Sequence, residues 1–415
     1  MLLDRKRFQI FLSILLITIS LAGLAWINYR FSLQNPGGND FMTYWNPARY
    51  WLLNGFSPYD ERVTQATQEI IYGRPADIAR GDDLNIFVYP MFSMIFFGPF
   101  GALDYLVART LWMTILEVAA IALTLISLKL SGWKLSPLGL AALALFSLLW
   151  YPGIRTLILG QFSGINALLI VAAIFLVLQK RDVLAGVLLA LSMSKPQMSF
   201  LIIPFTLLWA YSNKRWRLVQ SILGVSILLW LLPMLFIPDW PLQWLRELSK
   251  YPAYTARIGS NVEIISGLIP SLSRPLSLIL YAFFGLFLLR EWALAWGKDE
   301  RRFLWAALIT LVIANIIAPR NATTHYVELL PVPLLLFQFW RENWGVKGEI
   351  ASWFTLGVLL FGLWAIFLLT VQGNFEQPAV YPAFPLACFF GLWWLRSHTI
   401  RQPDILLNKT PLATH

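Results

Sequence analysis

The sequence predicts an all-α polytopic membrane protein. Of its 415 residues, 58% are hydrophobic and only 13% are charged, whereas soluble domains carry about 25% charged residues. The apolar residues form long blocks, and roughly 20 such residues in a helix are enough to cross a bilayer. Lys and Arg lie in short clusters between these blocks. The positive-inside rule therefore explains the net charge of +10, and no nucleic-acid partner is expected.

The first apolar block, Phe8–Tyr29, follows the basic stretch Asp4–Arg7. It is too long for a signal peptide and lacks a clear cleavage site, so we expect a retained anchor helix with a cytoplasmic N-terminus. The single cysteine, Cys388, excludes an internal disulfide framework.

Thirteen apolar segments follow one another along the chain: Phe8–Tyr29, Ile86–Leu103, Leu106–Leu128, Leu138–Tyr151, Ile165–Leu178, Val183–Ser194, Met198–Tyr211, Leu218–Ile237, Leu276–Trp296, Phe303–Ile317, Tyr326–Trp340, Ile350–Val371 and Val380–Leu395.

Basic clusters predict which connections lie in the cytoplasm, and loops with few basic residues are expected outside. The predicted cytoplasmic stretches are Asp4–Arg7, Gln179–Asp182, Asn213–Arg217, Gly297–Arg302 and the tail Arg396–His415. The predicted extracytoplasmic stretches are Phe31–Asn85, Pro152–Asn166, Pro238–Pro270, Pro319–His325 and Gln372–Pro378. We expect one integral-membrane domain over residues 1–415, in the plasma membrane of a prokaryotic cell.

The number of crossings must be even, because basic residues place both chain ends inside. About 12 transmembrane helices are therefore expected, and at least one short segment is re-entrant or merged with its neighbour. The candidates for a re-entrant or merged segment are Ile86–Leu103 and the pair within Val183–Tyr211.

The first outward loop contains signals for two short helices. In "NPARYWLLNG", Asn46 is predicted as the N-cap, Pro47 as the first helical residue and Gly55 as the residue after the end. Its apolar face and aromatic residues predict a helix lying in the membrane interface. A second helix is predicted between the cap Asp60 and Gly73.

Chemistry must come from carboxylates, a few cations and aromatic residues. No phosphate-binding loop, dinucleotide fingerprint or metal-ligand spacing is present, so no metal or cofactor is expected. Asp40 lies at a membrane face, with Tyr44 one turn later, and could take a proton from an acceptor hydroxyl. The alternative is that Asp40 caps a turn beginning at Phe41.

Further polar candidates lie at the ends of apolar segments. Tyr89 begins one such run, and Gln161 and Asn166 lie where a loop enters a helix, although turn capping is the plain explanation. Lys195 lies between two apolar stretches. A lysine there either faces a cavity and pairs with an anion such as phosphate, or reaches to the interface beside Pro196.

Two outward stretches supply the remaining candidates. Arg320 and His325 could hold a phosphate or sugar hydroxyls, and the alternative is a plain polar loop with Glu328 packed inside the bundle. In the loop Pro238–Pro270, Arg257 and Asn261 are the best polar candidates.

The order of these motifs resembles one family, the polyprenol-phosphate-mannose-dependent mannosyltransferase-like membrane glycosyltransferases of the GT-C class. The motifs are "DFMTYWNPARYWLLNGFSPYD", "FVYPMFSMIFFGPFGAL", "LGQFSGINALL", "AGVLLALSMSKPQ" and "APRNATTHYVELLPVP", which together extend from Asp40 to Pro333. Met91 stands where the family has a second proline, and the stretch around His325 matches loosely.

The resemblance implies a GT-C fold, a polyprenyl-phosphate sugar donor, and Asp40 as the base of an inverting, metal-independent transfer on the extracytoplasmic face. It implies that a hexose, with mannose as first candidate, passes to a lipid or glycan acceptor. Lys195, Arg320 and His325 would then stabilise the donor phosphate. A transporter or flippase for a lipid-linked glycan is the alternative, but such a protein should show two similar halves, and none is visible.

Overall fold

The computed structural model describes residues 2–255, 259–372 and 376–401. Helices dominate these residues, with 3-10 helices at Ile78–Arg80, Met91–Ser93, Leu232–Leu235, Pro270–Leu272, Thr323–Leu329 and Pro378–Val380. In chain order the α-helices are α1 Leu2–Gln34, α2 Asn39–Asn54, α3 Glu61–Tyr72, α4 Met94–Gly101, α5 Tyr105–Ser131, α6 Pro137–Leu149, α7 Tyr151–Leu159, α8 Ser163–Leu178, α9 Asp182–Ser192, α10 Pro196–Ser199, α11 Ile202–Ser212, α12 Trp216–Leu231, α13 Trp240–Thr255, α14 Asn261–Gly267, α15 Ser273–Ala295, α16 Glu300–Ile317, α17 Pro331–Trp344, α18 Val346–Thr370 and α19 Ala383–Arg401.

The all-α polytopic membrane class is confirmed. Six helices in the described residues are long and apolar enough to cross a membrane, and a bent pair made of α6 and α7 would be a seventh. The six are Arg7–Gln34, Tyr105–Ser131, Trp216–Leu235, Pro270–Ala295, Val346–Thr370 and Pro378–Arg396. Shorter apolar helices complete the set, among them α8, α9 and α11. A total of about 12 crossings stays a prediction.

The chain divides into two compact units. The first comprises Met1–Val88, Met94–Val118 and Leu157–Gln161, and the second comprises Tyr89–Ser93, Ala119–Thr156 and Phe162–His415. In the first unit, Asn28 of α1 donates to Thr114 Oγ1 at 3.0 Å and to Glu117 Oε2 at 2.9 Å, which ties α1 to α5. The single integral-membrane domain stays a prediction.

The first outward loop forms two helices, and one of its two predicted starts is wrong. Helix α2 begins at Asn39, so Asn46 is not its N-cap and Pro47 lies inside it. Asn46 is instead buried and donates to Thr67 Oγ1 of α3 at 2.9 Å. Burial of the residues before Pro47 outweighs the hydrogen bond that the proline removes. The ending at Gly55 is confirmed by its left-handed backbone, with φ of 70°.

Helix α3 confirms its predicted caps. The Asp60 side chain accepts a hydrogen bond from the backbone N–H of Arg62, and Gly73 ends the helix with φ of 67°. Helix α2 packs against both α3 and α4. Its first half is therefore buried by protein, and only later residues such as Leu52 and Leu53 expose apolar surface. Placement of these helices in the membrane interface stays a prediction.

The second unit is built around α16. Fifteen of its residues, from Arg302 to Ile316, are buried, and a helix that is apolar on all sides belongs in the centre of a bundle. Helices α11, α14, α15 and α19 pack against it.

In the second unit the chain runs out along α9 and back along α11, with α10 between them, and this segment is called the hairpin below. Helices α9 and α11 each have 11 residues, so each is about 16 Å long, roughly half of the 30 Å hydrocarbon core. Arg215, just after α11, forms an ion pair with Asp182 at the start of α9 and donates to the carbonyl of Val177 at 2.9 Å. The chain thus returns to the end from which it left, as a re-entrant pair within Val183–Tyr211 requires, and re-entrance itself stays a prediction.

The segments predicted to share one side of the membrane lie together within the second unit. On the predicted cytoplasmic side, Arg215 also approaches Glu300 at 3.9 Å, and the Gly297 N–H donates to Ser212 Oγ at 2.9 Å. On the other side, Glu376 accepts from Thr323 Oγ1 at 2.6 Å and forms an ion pair with Arg155 at 3.2 Å. Which of these sides faces outward stays a prediction.

Cysteine labelling tests the predicted orientation. We expect Glu69→Cys to react with a membrane-impermeant maleimide added to intact cells, and Arg217→Cys to react only after the membrane is opened. Both native side chains are exposed, and the native Cys388 is buried, so the unsubstituted protein provides a low background. Labelling of both positions from outside would overturn the topology.

Candidate active site

Asp40 lies in the first turn of α2, with Gly38 as the N-cap residue. It is therefore not the cap itself, and the capping alternative is wrong. The free backbone N–H groups of the first helical turn favour a negative charge at this position. Gln161 Nε2 donates to Asp40 Oδ2 at 2.8 Å, and the Tyr44 hydroxyl donates to Gln161 Oε1 at 3.3 Å. Three of the predicted site residues thus form one hydrogen-bonded chain in the first unit.

Gly160 allows the Gln161 loop to approach α2. Its φ is 69°, and a Cβ at this position would lie 2.6 Å from Phe41 Cβ, the residue after Asp40. The Gly160 carbonyl accepts from Trp112 Nε1 at 2.8 Å, and the Trp112 ring stacks on Phe41 with centroids 5.2 Å apart. Trp112 and Gly160 position the predicted base although sequence reasoning assigned them no role.

Gly160→Ala is expected to remove most of the transfer activity. The new methyl group must displace Phe41 or the loop, and a shift of 1 Å near reacting groups can cost about 100-fold in rate. Gly55→Ala is a matched control, because its φ is also positive at 70° but nothing lies within 4 Å of the added Cβ. Activity and thermal unfolding of both variants should be measured. Equal losses in the two would show that backbone strain alone, and not the approach to Asp40, explains the effect.

The turn before Asp40 is fixed by α5. The Tyr105 hydroxyl donates to the Gly37 carbonyl at 2.9 Å, and Arg109 donates to the Asn35 carbonyl. Gly38 has φ of 87°, and a Cβ there would lie 2.8 Å from Arg109 Nε. These contacts hold the pair Gly37–Gly38 in one conformation.

Lys195 lies at the apex of the hairpin formed by α9 and α11, immediately before α10. It is 1% exposed, so the alternative in which it reaches to the membrane interface is wrong. A buried ammonium is retained where it meets a counter-charge, a hydrogen-bonding partner or a ligand. The hairpin brings this charge to residues from a later part of the chain.

His325 and Glu328 lie on the 3-10 helix Thr323–Leu329, and both side chains are buried. Burial lowers the pKa of His325 well below its usual range, and the charges of Lys195 and Arg320 lower it further. The imidazole is therefore neutral at neutral pH. Lys195, Arg320 and His325, which were predicted as phosphate ligands, are thus close enough to interact electrostatically in the second unit.

Glu328 joins this group. Its Oε1 accepts from Asn315 Nδ2 at 2.5 Å. Burial raises the pKa of Glu328 to about 8, against the opposing effects of the Asn315 hydrogen bond and the Lys195 charge. Burial thus favours the protonated form of this carboxyl group, which can donate a hydrogen bond.

The remaining predicted residues are more dispersed. Asn166 is fully buried in the first turn of α8, and α8 packs against the 3-10 helix that carries His325. Asn261 donates to the Asn315 carbonyl at 2.8 Å and to the Tyr326 hydroxyl at 3.1 Å. Tyr89 is buried, with its ring edge-to-face on Phe162 at 6.4 Å. Arg257 lies outside the described residues.

Glu376 is a polar centre that sequence reasoning missed. Its carboxylate accepts from Thr323 Oγ1, the Tyr381 hydroxyl at 2.5 Å and the Tyr151 hydroxyl, and it pairs with Arg155. It thereby fixes the start of the 3-10 helix that carries His325. Its position in a predicted outward loop was the only signal in the sequence.

The class of protein follows from the comparison with known families. The chain matches Glycosyltransferase family 87 over residues 87–314, which is more than half of its length, and it belongs to that family. It is therefore an integral-membrane glycosyltransferase, and family membership favours sugar transfer over the transport alternative. The matched range contains Gln161, Asn166 and Lys195, whereas Asp40 and His325 lie outside it. No match was found among curated proteins or among solved structures.

Proposed function

We propose that this glycosyltransferase transfers a hexose, with mannose as first candidate, from a polyprenyl-phosphate donor to a hydroxyl of a lipid or glycan acceptor. The reaction takes place on the extracytoplasmic face of a prokaryotic plasma membrane and inverts the anomeric configuration. The observation that carries this function is the carboxylate of Asp40, placed at a helix N-terminus and oriented by the Gln161 amide.

Asp40 acts as general base. The acceptor hydroxyl gives its proton to the Asp40 carboxylate while its oxygen forms a bond to the anomeric carbon. The bond from that carbon to the phosphate oxygen breaks, and its electron pair leaves with the polyprenyl phosphate. Attack from the face opposite the phosphate converts a β-linked donor into an α-linked product. Gln161 and Tyr44 hold the carboxylate in one orientation during this step.

Lys195, Arg320 and His325 bind the donor phosphate. Two cations stabilise the charge that develops on the leaving group, and the neutral imidazole can donate one hydrogen bond to it. These groups supply stabilisation without a metal ion, so transfer is expected to continue in EDTA. The charge of Lys195 is effective here because this side chain is buried and little water screens it.

The test uses the purified full-length chain in lipid nanodiscs. Labelled mannose on a short synthetic polyprenyl phosphate is offered with a membrane lipid extract and with soluble mannosides as acceptors, and a nucleotide-linked mannose serves as the comparison donor. Transfer from the lipid-linked donor alone is expected. Failure with every polyprenyl-phosphate sugar, or transfer from the nucleotide donor alone, would contradict the proposed donor class.

A further inference from the structure

Several polar atoms in the second unit are buried without a hydrogen-bond partner in the described structure. They include both amide atoms of Asn166, Glu328 Oε2 and the hydroxyls of Ser163, Ser194 and Thr324. All six atoms belong to side chains that are at most 3% exposed. Buried polar groups in native proteins nearly always have partners, so this concentration indicates a polar ligand.

These unpartnered atoms lie on elements that pack together. Ser163 and Asn166 are in the first turn of α8, which packs against the 3-10 helix that carries Thr324 and Glu328. Ser194 directly precedes Lys195, and the adjacent helix α10 packs against α8. The elements that carry these atoms are therefore the ones that carry or adjoin the predicted phosphate ligands Lys195 and His325.

The chemistry of these atoms suits sugar hydroxyls better than phosphate. Asn166 offers one donor group and one acceptor, and Glu328 is anchored by Asn315 through one oxygen only. A hydroxyl both donates and accepts hydrogen bonds, so an amide and a carboxyl group together can bind neighbouring hydroxyls of a hexose. A carboxyl group would repel a phosphate once ionised, whereas Lys195 attracts it. The two sets of residues therefore suit different parts of one glycosyl phosphate.

We propose that Asn166 and Glu328 bind hydroxyl groups of the transferred sugar and set the enzyme's preference among hexoses. This role rests on the proposed function, because it requires that the sugar enters this region while attached to a phosphate that Lys195 binds. The two side chains do no proton transfer in the reaction. They position the sugar, and they reject sugars that leave their buried atoms unpaired.

Asn166→Ala and Glu328→Met test this role with a set of donors. Mannosyl, glucosyl and singly deoxygenated mannosyl polyprenyl phosphates are compared by kcat/KM. Each variant is expected to lose about 10-fold or more with mannose, but little with the one deoxy donor that lacks the hydroxyl it binds. Glu328→Gln keeps an acceptor for Asn315 and an outward donor, so it should restore most of the activity at neutral pH. An equal loss with all donors would overturn the assignment.

Two further readouts separate sugar binding from a structural role. Inhibition by polyprenyl phosphate without a sugar should be unchanged in both variants, and a matching rise in its inhibition constant would contradict the proposal. Because the Asn166 amide has no partner within the described fold, Asn166→Ala should lower the Tm no more than Ser352→Ala. Ser352 is a suitable control, since it is buried and its hydroxyl donates to the Gly348 carbonyl at 2.8 Å.

The same variants remain informative if the donor class is wrong. If wild type uses a nucleotide-linked sugar instead, the proposed function fails, and the deoxy series is repeated on that donor. Hydroxyl-selective losses would then support the sugar-binding role independently of the lipid carrier. If wild type transfers from polyprenyl-phosphate mannose and the variants show no selectivity, only the sugar-binding role fails.

Discussion

Asp40→Asn is expected to lower the rate of sugar transfer by roughly 1,000-fold, within the range that a general base contributes. Asn has nearly the same shape, and its carbonyl can still accept from Gln161 Nε2, so the fold around α2 should be unchanged. What is lost is the ability to take a proton from the acceptor. The measurement is kcat with saturating donor and acceptor, together with the Tm of both proteins.

Asp60→Asn is the matched control for this substitution. Asp60 lies in the same loop and is the N-cap of α3, where Asn is also a good cap. Its ion pair with Arg62 is at the surface, so little stability should be lost. Near wild-type transfer in Asp40→Asn, or an equal loss in both variants, would exclude Asp40 as the base.

Lys195→Met is expected to raise the donor KM by roughly 100-fold, because the buried ammonium would no longer pair with the donor phosphate. Methionine has a similar length and tolerates burial, so the hairpin should still form. Binding of polyprenyl phosphate without a sugar should weaken by a similar factor, while the acceptor KM should change little. This last distinction identifies the substrate with which Lys195 interacts.

Lys180→Met provides the comparison for Lys195→Met. The side chain of Lys180 is 78% exposed and lies 3.9 Å from Glu300 in a weak surface pair, so neither KM should change. A Lys195→Met enzyme in which only the acceptor KM rises would contradict the phosphate role. If Lys195→Met does not yield folded protein, Lys195→Arg is measured instead. This variant keeps the charge and should retain part of the donor affinity.

Local signals predicted the caps of α3 better than the start of α2. Asp60 and Gly73 act over one helical turn, where the neighbouring backbone decides the outcome. The pair Asn46–Pro47 carries an equally good start signal, but packing of α2 against α3 and α4 selects a longer helix that begins at Asn39. A cap is worth about 1 kcal/mol, and burial of several large side chains exceeds it.

The candidate site was predicted in parts. Asp40, Gln161, Lys195 and His325 were each identified from polar residues at the ends of apolar segments, with the order of motifs assigning their roles. Glu376 was not, because its partners Arg155 and Thr323 are far away in the sequence and no spacing connects them. A carboxylate whose hydrogen-bond partners lie on separate loops can be identified only from the tertiary structure.

By itself, the sequence determined the class of this protein. Its apolar blocks are of bilayer length, with basic clusters between them, and within a bilayer such segments form α-helices because each helix satisfies the hydrogen bonds of its own backbone. Motifs spread along the chain also identified it as a membrane glycosyltransferase. Only the tertiary structure decided that Gln161 orients Asp40, that the chain runs out and back through α9 and α11, and that the buried Lys195 is close enough to His325 and Glu328 to interact with them electrostatically. These features depend on packing between distant segments, and hydrophobic periodicity reports which residues are apolar but not which segments they meet.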